Sequence, residues 1–249
     1  MKGLLIGIFR FFCTIWSGIV VVFFMVLFFP LMVFFVVIGK KERALHVPKY
    51  ISHCCLFFMG IRLKVYGRDK IDDSLSMVYI FNHHSNLDPF ITSVQTPGKA
   101  KLLAKAEILK YPVFGFALKH LHIPIKREDR RDRQRSLKVM SNVLDKGDSL
   151  LLFPEGTRNA GPELLKPFKR GAFKLSIETG KPIAVCTAVN SNELLPGDSW
   201  FIRPGEIHCY WDGPFYPDEY MPDRLEEFQE MIRAKMYERM LAHYPEGRF

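Results

Sequence analysis

No Gly-x-Ser-x-Gly occurs anywhere in the chain, and no Cys-x-x-Cys either. The first absence removes the serine elbow of the α/β hydrolases, and the second the commonest zinc and dithiol spacings. The cysteines, Cys13, Cys54, Cys55, Cys186 and Cys209, are odd in number and two are adjacent, which argues against a disulfide frame. They suit a reducing compartment and a role as small apolar fillers. Internal repeats and low-complexity tracts are missing outside the apolar N-terminus. Acidic residues are in deficit: 26 Asp and Glu against 35 Lys and Arg leave a net charge of +9 over 249 residues. That surplus points to phosphate-bearing partners such as nucleic acid, anionic lipid or a phosphorylated cofactor.

Charge is absent altogether from Phe11 to Gly39, "FFCTIWSGIVVVFFMVLFFPLMVFFVVIG". A secretory signal has an apolar core of about 7–15 residues and a small-residue cleavage site, and this run is too long and has no such site. As one straight helix it would measure roughly 43 Å, against a hydrocarbon core of about 30 Å. Pro30 is therefore expected to kink the helix or end its first part, and a span and a half-immersed hairpin both stay open. Lys40, Lys41 and Arg43 outnumber Lys2 and Arg10, which favours the C-terminal side as cytoplasmic. The next apolar stretch, "YISHCCLFFMG", is too short to span; it reads either as an interfacial amphipathic helix or as a core helix. Residues 1–60 are thus expected to form a membrane-anchoring helical segment, and residues 61–249 an α/β domain.

In the body, hydrophobic residues at 48% of the chain and aromatics at 14% suffice for a packed core. "IRLKVYG" alternates like a half-buried strand, while "MVYIF", "SLLLF", "PIAVCTAV" and "EIHCYW" read as strands. "RDRQRSLKVMSNVLDKG" and "FKRGAFKLSIETG" have helical spacing, with Gly147 and Gly180 at their ends. "PDRLEEFQEMIRAKMYERMLAHY" reads as a closing helix with Pro222 near its start. Strands alternating with helices predict a mixed, largely parallel sheet flanked by helices.

Two stretches carry chemistry. In "YIFNHHSNLDPF", His83 stands five positions before Asp88. Asp before Pro is a good helix N-cap, and that alone would account for Asp88. Alternatively, a histidine past a strand end, oriented by a carboxylate at the next helix, is poised to take a proton from a hydroxyl. With no protein nucleophile in view, such a base implies direct activation of a substrate hydroxyl. In "LLFPEGTRNAG", Glu155 and Gly156 make a turn at a strand end and Arg158 follows with nothing apolar to pack against. It is either a solvated surface arginine or a phosphate-binding fork.

Together these residues resemble the glycerolipid acyltransferase family, and within it the bacterial 1-acyl-sn-glycerol-3-phosphate acyltransferases. "NHHSNLDPF" is similar to the family's first motif, which implies catalytic places for His83 and Asp88. "FPEGTRN" is similar to its third motif, and "LLKPFKRGAF" to the segment that follows. "AKAEILKYPVFG" and "IPIKR" resemble the second block, which implies Lys105 and Arg127 as phosphate ligands together with Arg158, and Glu155, Gly156 and Thr157 as parts of the substrate site. The resemblance covers about residues 62 to 190.

What it implies is acyl transfer from acyl-CoA or acyl carrier protein to the free hydroxyl of lysophosphatidic acid, at a membrane and with the catalytic domain on its cytoplasmic face (the inner membrane in a bacterium). No metal and no bound cofactor is implied. Two positions depart from the family pattern: Lys126 replaces an Asp in the second block, and Val185 a proline in the fourth. They keep an acyltransferase for another lysolipid as the alternative. Nucleic-acid binding through "KREDRRDRQR" is disfavoured, because its charges alternate in sign and no aromatic platform accompanies them.

Overall fold

A long segment with almost no charge, in apolar surroundings, must satisfy its backbone within itself, which only a helix can do in one piece. In the computed structural model, which describes residues 2–97, 100–125, 130–220 and 223–249, that segment is a single helix, α1 (Lys2–Val37), with Pro30 inside it. Of the two alternatives for Pro30, an end to the helix does not occur: the ring removes one N–H from the ladder, and the neighbouring bonds carry the helix through. One stripe of α1, Ser17, Val20, Phe24 and Met32, is buried against the body, while Phe12, Ile19, Val22, Phe23, Val26 and Phe34 are exposed. Only 17% of its most apolar window is buried, so α1 is not a core helix.

The second apolar stretch lies in α2 (Lys41–Phe58) and is core on one side only. Ala44, Val47, Cys55 and Leu56 are buried, while Tyr50, Phe57 and Phe58 are exposed. α2 sits between α1 and α3 (Asp88–Gln95), with Phe24 against Phe58 at 5.4 Å between ring centroids.

The sheet has the strands β1 (Ile61–Tyr66), β2 (Val78–Phe81), β3 (Ala100–Lys105), β4 (Ile123–Ile125), β5 (Ser149–Leu152), β6 (Ile183–Val189) and β7 (Gly205–Phe215). Their spatial order is β1-β7-β6-β2-β5-β3-β4. β6, β2, β5, β3 and β4 run parallel; β7 is antiparallel to β6, and β1 parallel to β7. The mixed, largely parallel sheet expected from the sequence is what forms.

Successive strand residues face opposite sides, and each side has its own core. Val78, Ile80, Leu150, Leu152, Ile183 and Val185 pack under α5 (Arg130–Asp145), α6 (Gly171–Thr179) and α8 (Leu225–Leu241). Tyr79, Phe81, Leu151, Ala184 and Cys186 pack under α2 and α3. α4 (Pro112–Leu121) and the short α7 (Ser191–Leu194) complete the helices. Gly147 and Gly180, both at positive φ, follow α5 and α6 as expected. Pro222 lies outside the described residues. All five cysteines are free, and three are buried in the apolar interior.

The consequence for function is positional. β2 and β5 are adjacent and parallel, with Ile80 opposite Leu152. The loops that follow them leave from the same edge of the sheet, and so does the loop after β6. Sites in open α/β sheets collect at such C-terminal strand edges.

Candidate active site

The first motif leaves β2 at Phe81 and turns back into α3. Asp88 is the first residue of that helix, and Leu87 before it makes no side-chain capping bond. The carboxylate does not cap α3. It points backward into the loop, where Oδ2 lies 2.7 Å from His83 Nδ1 and accepts the backbone N–H groups of His84 at 2.8 Å and Ser85 at 2.9 Å. The helix-cap alternative for Asp88 therefore fails. A carboxylate offers only acceptors, so the His83 proton sits on Nδ1 and Nε2 carries a free lone pair. Among the described residues nothing hydrogen-bonds Nε2, and the side chain keeps 18% of its surface accessible.

His84 is occupied otherwise. Asn82 spends its Oδ1 on the Ala188 N–H, at 2.7 Å, and its amide nitrogen lies 2.8 Å from His84 Nδ1, which therefore accepts. Burial pushes the His84 ring down to about 4, and Phe249 packs edge-on against it. A buried neutral ring with its basic nitrogen engaged is a packing residue.

The third motif grips His83 from the other side. After β5, Phe153 stacks on the His83 ring at 4.1 Å, Glu155 Oε1 accepts the His83 N–H at 2.9 Å, and the Asn159 N–H donates to the His83 carbonyl at 2.7 Å. Glu155 Oε2 accepts the Lys166 N–H at 3.0 Å. Both oxygens of Glu155 are thus taken by the main chain. Burial pushes its carboxyl up to about 7, against the opposing pull of those two amides and with a further push from Asp88. Gly156, at φ +76°, turns the chain beneath Lys169, and Thr157 is exposed at the tip.

Arg158 is half-buried and has a packing partner. Its Nη1 donates to Gly197 O at 3.1 Å, and its aliphatic stem lies so close to Gly197 that a Cβ there would sit 2.4 Å from Cδ. The Lys166 ammonium donates to Arg158 O at 2.8 Å, and Arg158 Nε is buried without a partner among the described residues. The loop after β6 and α7 joins the same cluster: Ser85 Oγ donates to Leu195 O at 2.6 Å, and the Asn86 amide to Pro196 O and Ser199 O. Three loops from three neighbouring parallel strands therefore converge on His83.

The Acyltransferase family model matches residues 62–189. The chain belongs to the acyltransferase family. A chloroplastic 1-acyl-sn-glycerol-3-phosphate acyltransferase of Brassica napus is 33% identical over 141 residues, covering 56% of this chain and 40% of that protein. A Cocos nucifera enzyme of the same name is 31% identical over 173 residues, and the matched segment is 54% of its length, so this chain spans about half of such plant relatives. The Helicobacter pylori protein of that name is 27% identical over 209 residues, covering 84% of this chain and 85% of its own. The crystal structure of the 1-acyl-sn-glycerophosphate acyltransferase from Thermotoga maritima superposes with a TM-score of 0.79, covering 94% of this chain and 97% of that one, at 17% identity. At that identity the likeness is one of fold.

In this acyltransferase the structure brings His83, Asp88, Glu155, Gly156, Thr157 and Arg158 to one edge of the sheet. Lys105 closes β3, which points its C-terminal end the same way, while Arg127 and the Lys126 departure lie outside the described residues. The other departure loses its force. Val185 is fully buried in the middle of β6, opposite Ile80, so it bears on core packing and not on an acceptor. Sequence reasoning gave no role to Phe153, Asn159, Lys166 or Gly197. Phe153 and Asn159 sit in the quoted third-motif stretch and Lys166 in the segment that follows it; Gly197 had no signal beyond a Pro-Gly turn.

Proposed function

We propose that this acyltransferase moves a fatty acyl group from an acyl thioester to the free hydroxyl of lysophosphatidic acid. The observation that carries the reading is the His83–Asp88 contact at 2.7 Å, with His83 Nε2 free and Arg158 held on the adjoining loop. His83 Nε2 takes the proton from the acceptor hydroxyl as its oxygen attacks the thioester carbonyl. Asp88 stabilises the imidazolium and keeps the ring in its working tautomer, as the carboxylate of a triad does. Collapse of the tetrahedral adduct expels the thiolate, which recovers the proton from His83. Arg158 supplies charge and donors for the acceptor phosphate, assisted by Lys105 and by Arg127. Glu155 acts on the protein, fixing the His83 main chain, rather than on the glycerol.

Residues 1–60 dock the catalytic body, residues 61–249, onto a bilayer. Contacts from Thr14, at Trp200, to Met32, beside Ala44 and Val47, run along about 27 Å of helix at 1.5 Å per residue. A helix fastened lengthwise to the body in this way lies half-immersed in one leaflet. Both basic flanks, Lys2 and Arg10 at one end and Lys40, Lys41 and Arg43 at the other, then meet the same leaflet, which suits the anionic cytoplasmic face.

The test is a panel of lysolipids with and without a phosphate monoester, each offered with acyl-CoA and with acyl carrier protein, products identified by mass. Phosphatidic acid formed by wild type and not by His83→Ala is the expected result. A preferred phosphodiester lysolipid would overturn the acceptor assignment while leaving the base in place.

A further inference from the structure

The turn between α7 and β7 ends in two large side chains that nothing covers among the described residues. Trp200 is 79% exposed and Phe201 50%, yet Ile202 next to them is 3% exposed in the core. The backbone carrying them is firmly tied. Ser199 N donates to Pro196 O and Phe201 N to Ser199 Oγ, while Arg203 N donates to Leu194 O. The tip is also bonded to α1: the Thr14 hydroxyl lies 3.2 Å from Trp200 O and accepts the Ile202 N–H at 3.2 Å. A fixed backbone that presents two uncovered aromatic side chains is arranged for a partner.

We propose that the Trp200–Phe201 tip is a lipid-inserting element that meets the same bilayer as α1. Continuity with α1 identifies the occupant. The helix turns around Thr14 expose Phe11, Phe12, Ile15 and Trp16, so the tip extends that apolar surface sideways. The length of the apolar segment fits shallow entry: Asp198 precedes it and Arg203 follows, so the tip reaches headgroup level and little further. Trp is the residue type that favours this depth, with an apolar body and an indole N–H for the polar zone.

The other end of the same loop holds the reaction site. Leu195 O and Pro196 O accept from Ser85 and Asn86 of the first motif, and Gly197 O accepts from Arg158. The loop thus connects lipid contact to the His83 surroundings over a few residues, and fixes the height of Arg158 above the membrane. An acceptor with its acyl chain in the leaflet and its phosphate at the surface meets Arg158 beside this tip. The inference rests on the membrane placement proposed above, and the experiment separates the two.

The full-length Trp16→Phe variant leaves Trp200 and the buried Trp211 as reporters. Its emission is read in phosphatidylcholine–phosphatidylglycerol vesicles carrying bromines either near the headgroup or near the bilayer centre. Strong quenching by the shallow label and weak quenching by the deep one are expected. A vesicle-bound protein without quenching overturns the tip and leaves the α1 placement standing; failure to bind vesicles overturns both. In a second arm, the Trp200→Ala/Phe201→Ala double variant should raise the apparent KM for vesicle-borne lysophosphatidic acid at least about tenfold, a floor given the apolar area removed. With a monomeric short-chain acceptor it should match wild type. An equal loss on both acceptors would make the tip a structural element and sink the proposal.

Discussion

The main-chain N–H of His83 donates to the carboxylate of Glu155, 72 residues further on, across 2.9 Å. The two motifs are therefore one mechanical unit: one carries His83, and the other fixes the peptide from which that side chain projects.

Removing the base should separate chemistry from packing. His83→Ala is expected to lower kcat by roughly two to four orders of magnitude with little change in melting temperature. Asp88→Asn should also lower kcat strongly, because an amide supplies no charge to the imidazolium and can leave Nδ1 with the wrong tautomer. His84→Ala should instead lose stability, since that ring is buried against Asn82 and Phe249. Turnover and thermal melts of the three variants check this; a kcat loss confined to His84→Ala would reverse the assignment.

Two buried groups should tilt stability with pH in opposite directions. His84 is held down to about 4 from 6.5 by burial, so its contribution is complete above 6.5 and lost as pH falls toward 4. Glu155 is pushed up to about 7 from 4.5, so its contribution is complete below 4.5 and lost as pH rises toward 7. Each shift corresponds to about 3 kcal/mol, and in the wild type they largely offset. Urea titrations across pH 4.5–6.5 should therefore show a shallow slope for wild type, given that window between the two sets of values. His84→Asn should become more stable toward acid, and Glu155→Gln less; parallel profiles would refute the pair.

Arg158 and Gly197 should behave as a couple. Arg158→Ala is expected to cost a few kcal/mol in kcat/KM for a phosphate-bearing acceptor and almost nothing for a phosphate-free one, with Arg158→Lys rescuing in part. Gly197→Ala should give a milder form of the same selective defect, because the new methyl meets Arg158 Cδ at 2.4 Å and the His84 carbonyl at 2.9 Å. Equal penalties on both acceptors would make Arg158 structural.

The exposed face of α1 can be tested without disturbing its packed stripe. Val22 and Val26 are 61% and 70% exposed. The Val22→Lys/Val26→Lys variant should lower vesicle partitioning at least about tenfold, given the cost of lysine in an apolar layer. Unchanged co-sedimentation would place that face outside the lipid.

Much of this architecture is legible along the chain because the signals are local. Strand runs such as "MVYIF" and "SLLLF", the glycines after α5 and α6, and the His83–Asp88 spacing each declare themselves within a dozen residues. What escapes is whatever the sheet brings together. Nothing in the spelling of Glu155 says that both its oxygens are filled by the amides of His83 and Lys166, and nothing near Gly197 announces that an arginine stem lies across it. Pro30 left two outcomes open for a related reason: a proline that would end a marginal helix costs one bond in a helix as long and apolar as α1. Val185 misleads, since a departure from a family pattern looks like altered specificity until its burial in β6 is known.

The lengthwise seating of α1 against the body changes what concentration means for this acyltransferase. With α1 in one leaflet, as proposed, the catalyst would sample its lysolipid by lateral diffusion, so its rate would follow the mole fraction of acceptor in the surface and not the amount per volume of solution. Diluting the acceptor with inert phospholipid should slow it, whereas adding buffer at constant surface composition should not. The product, still anchored by its acyl chains, would then leave sideways into the leaflet that supplied the acceptor.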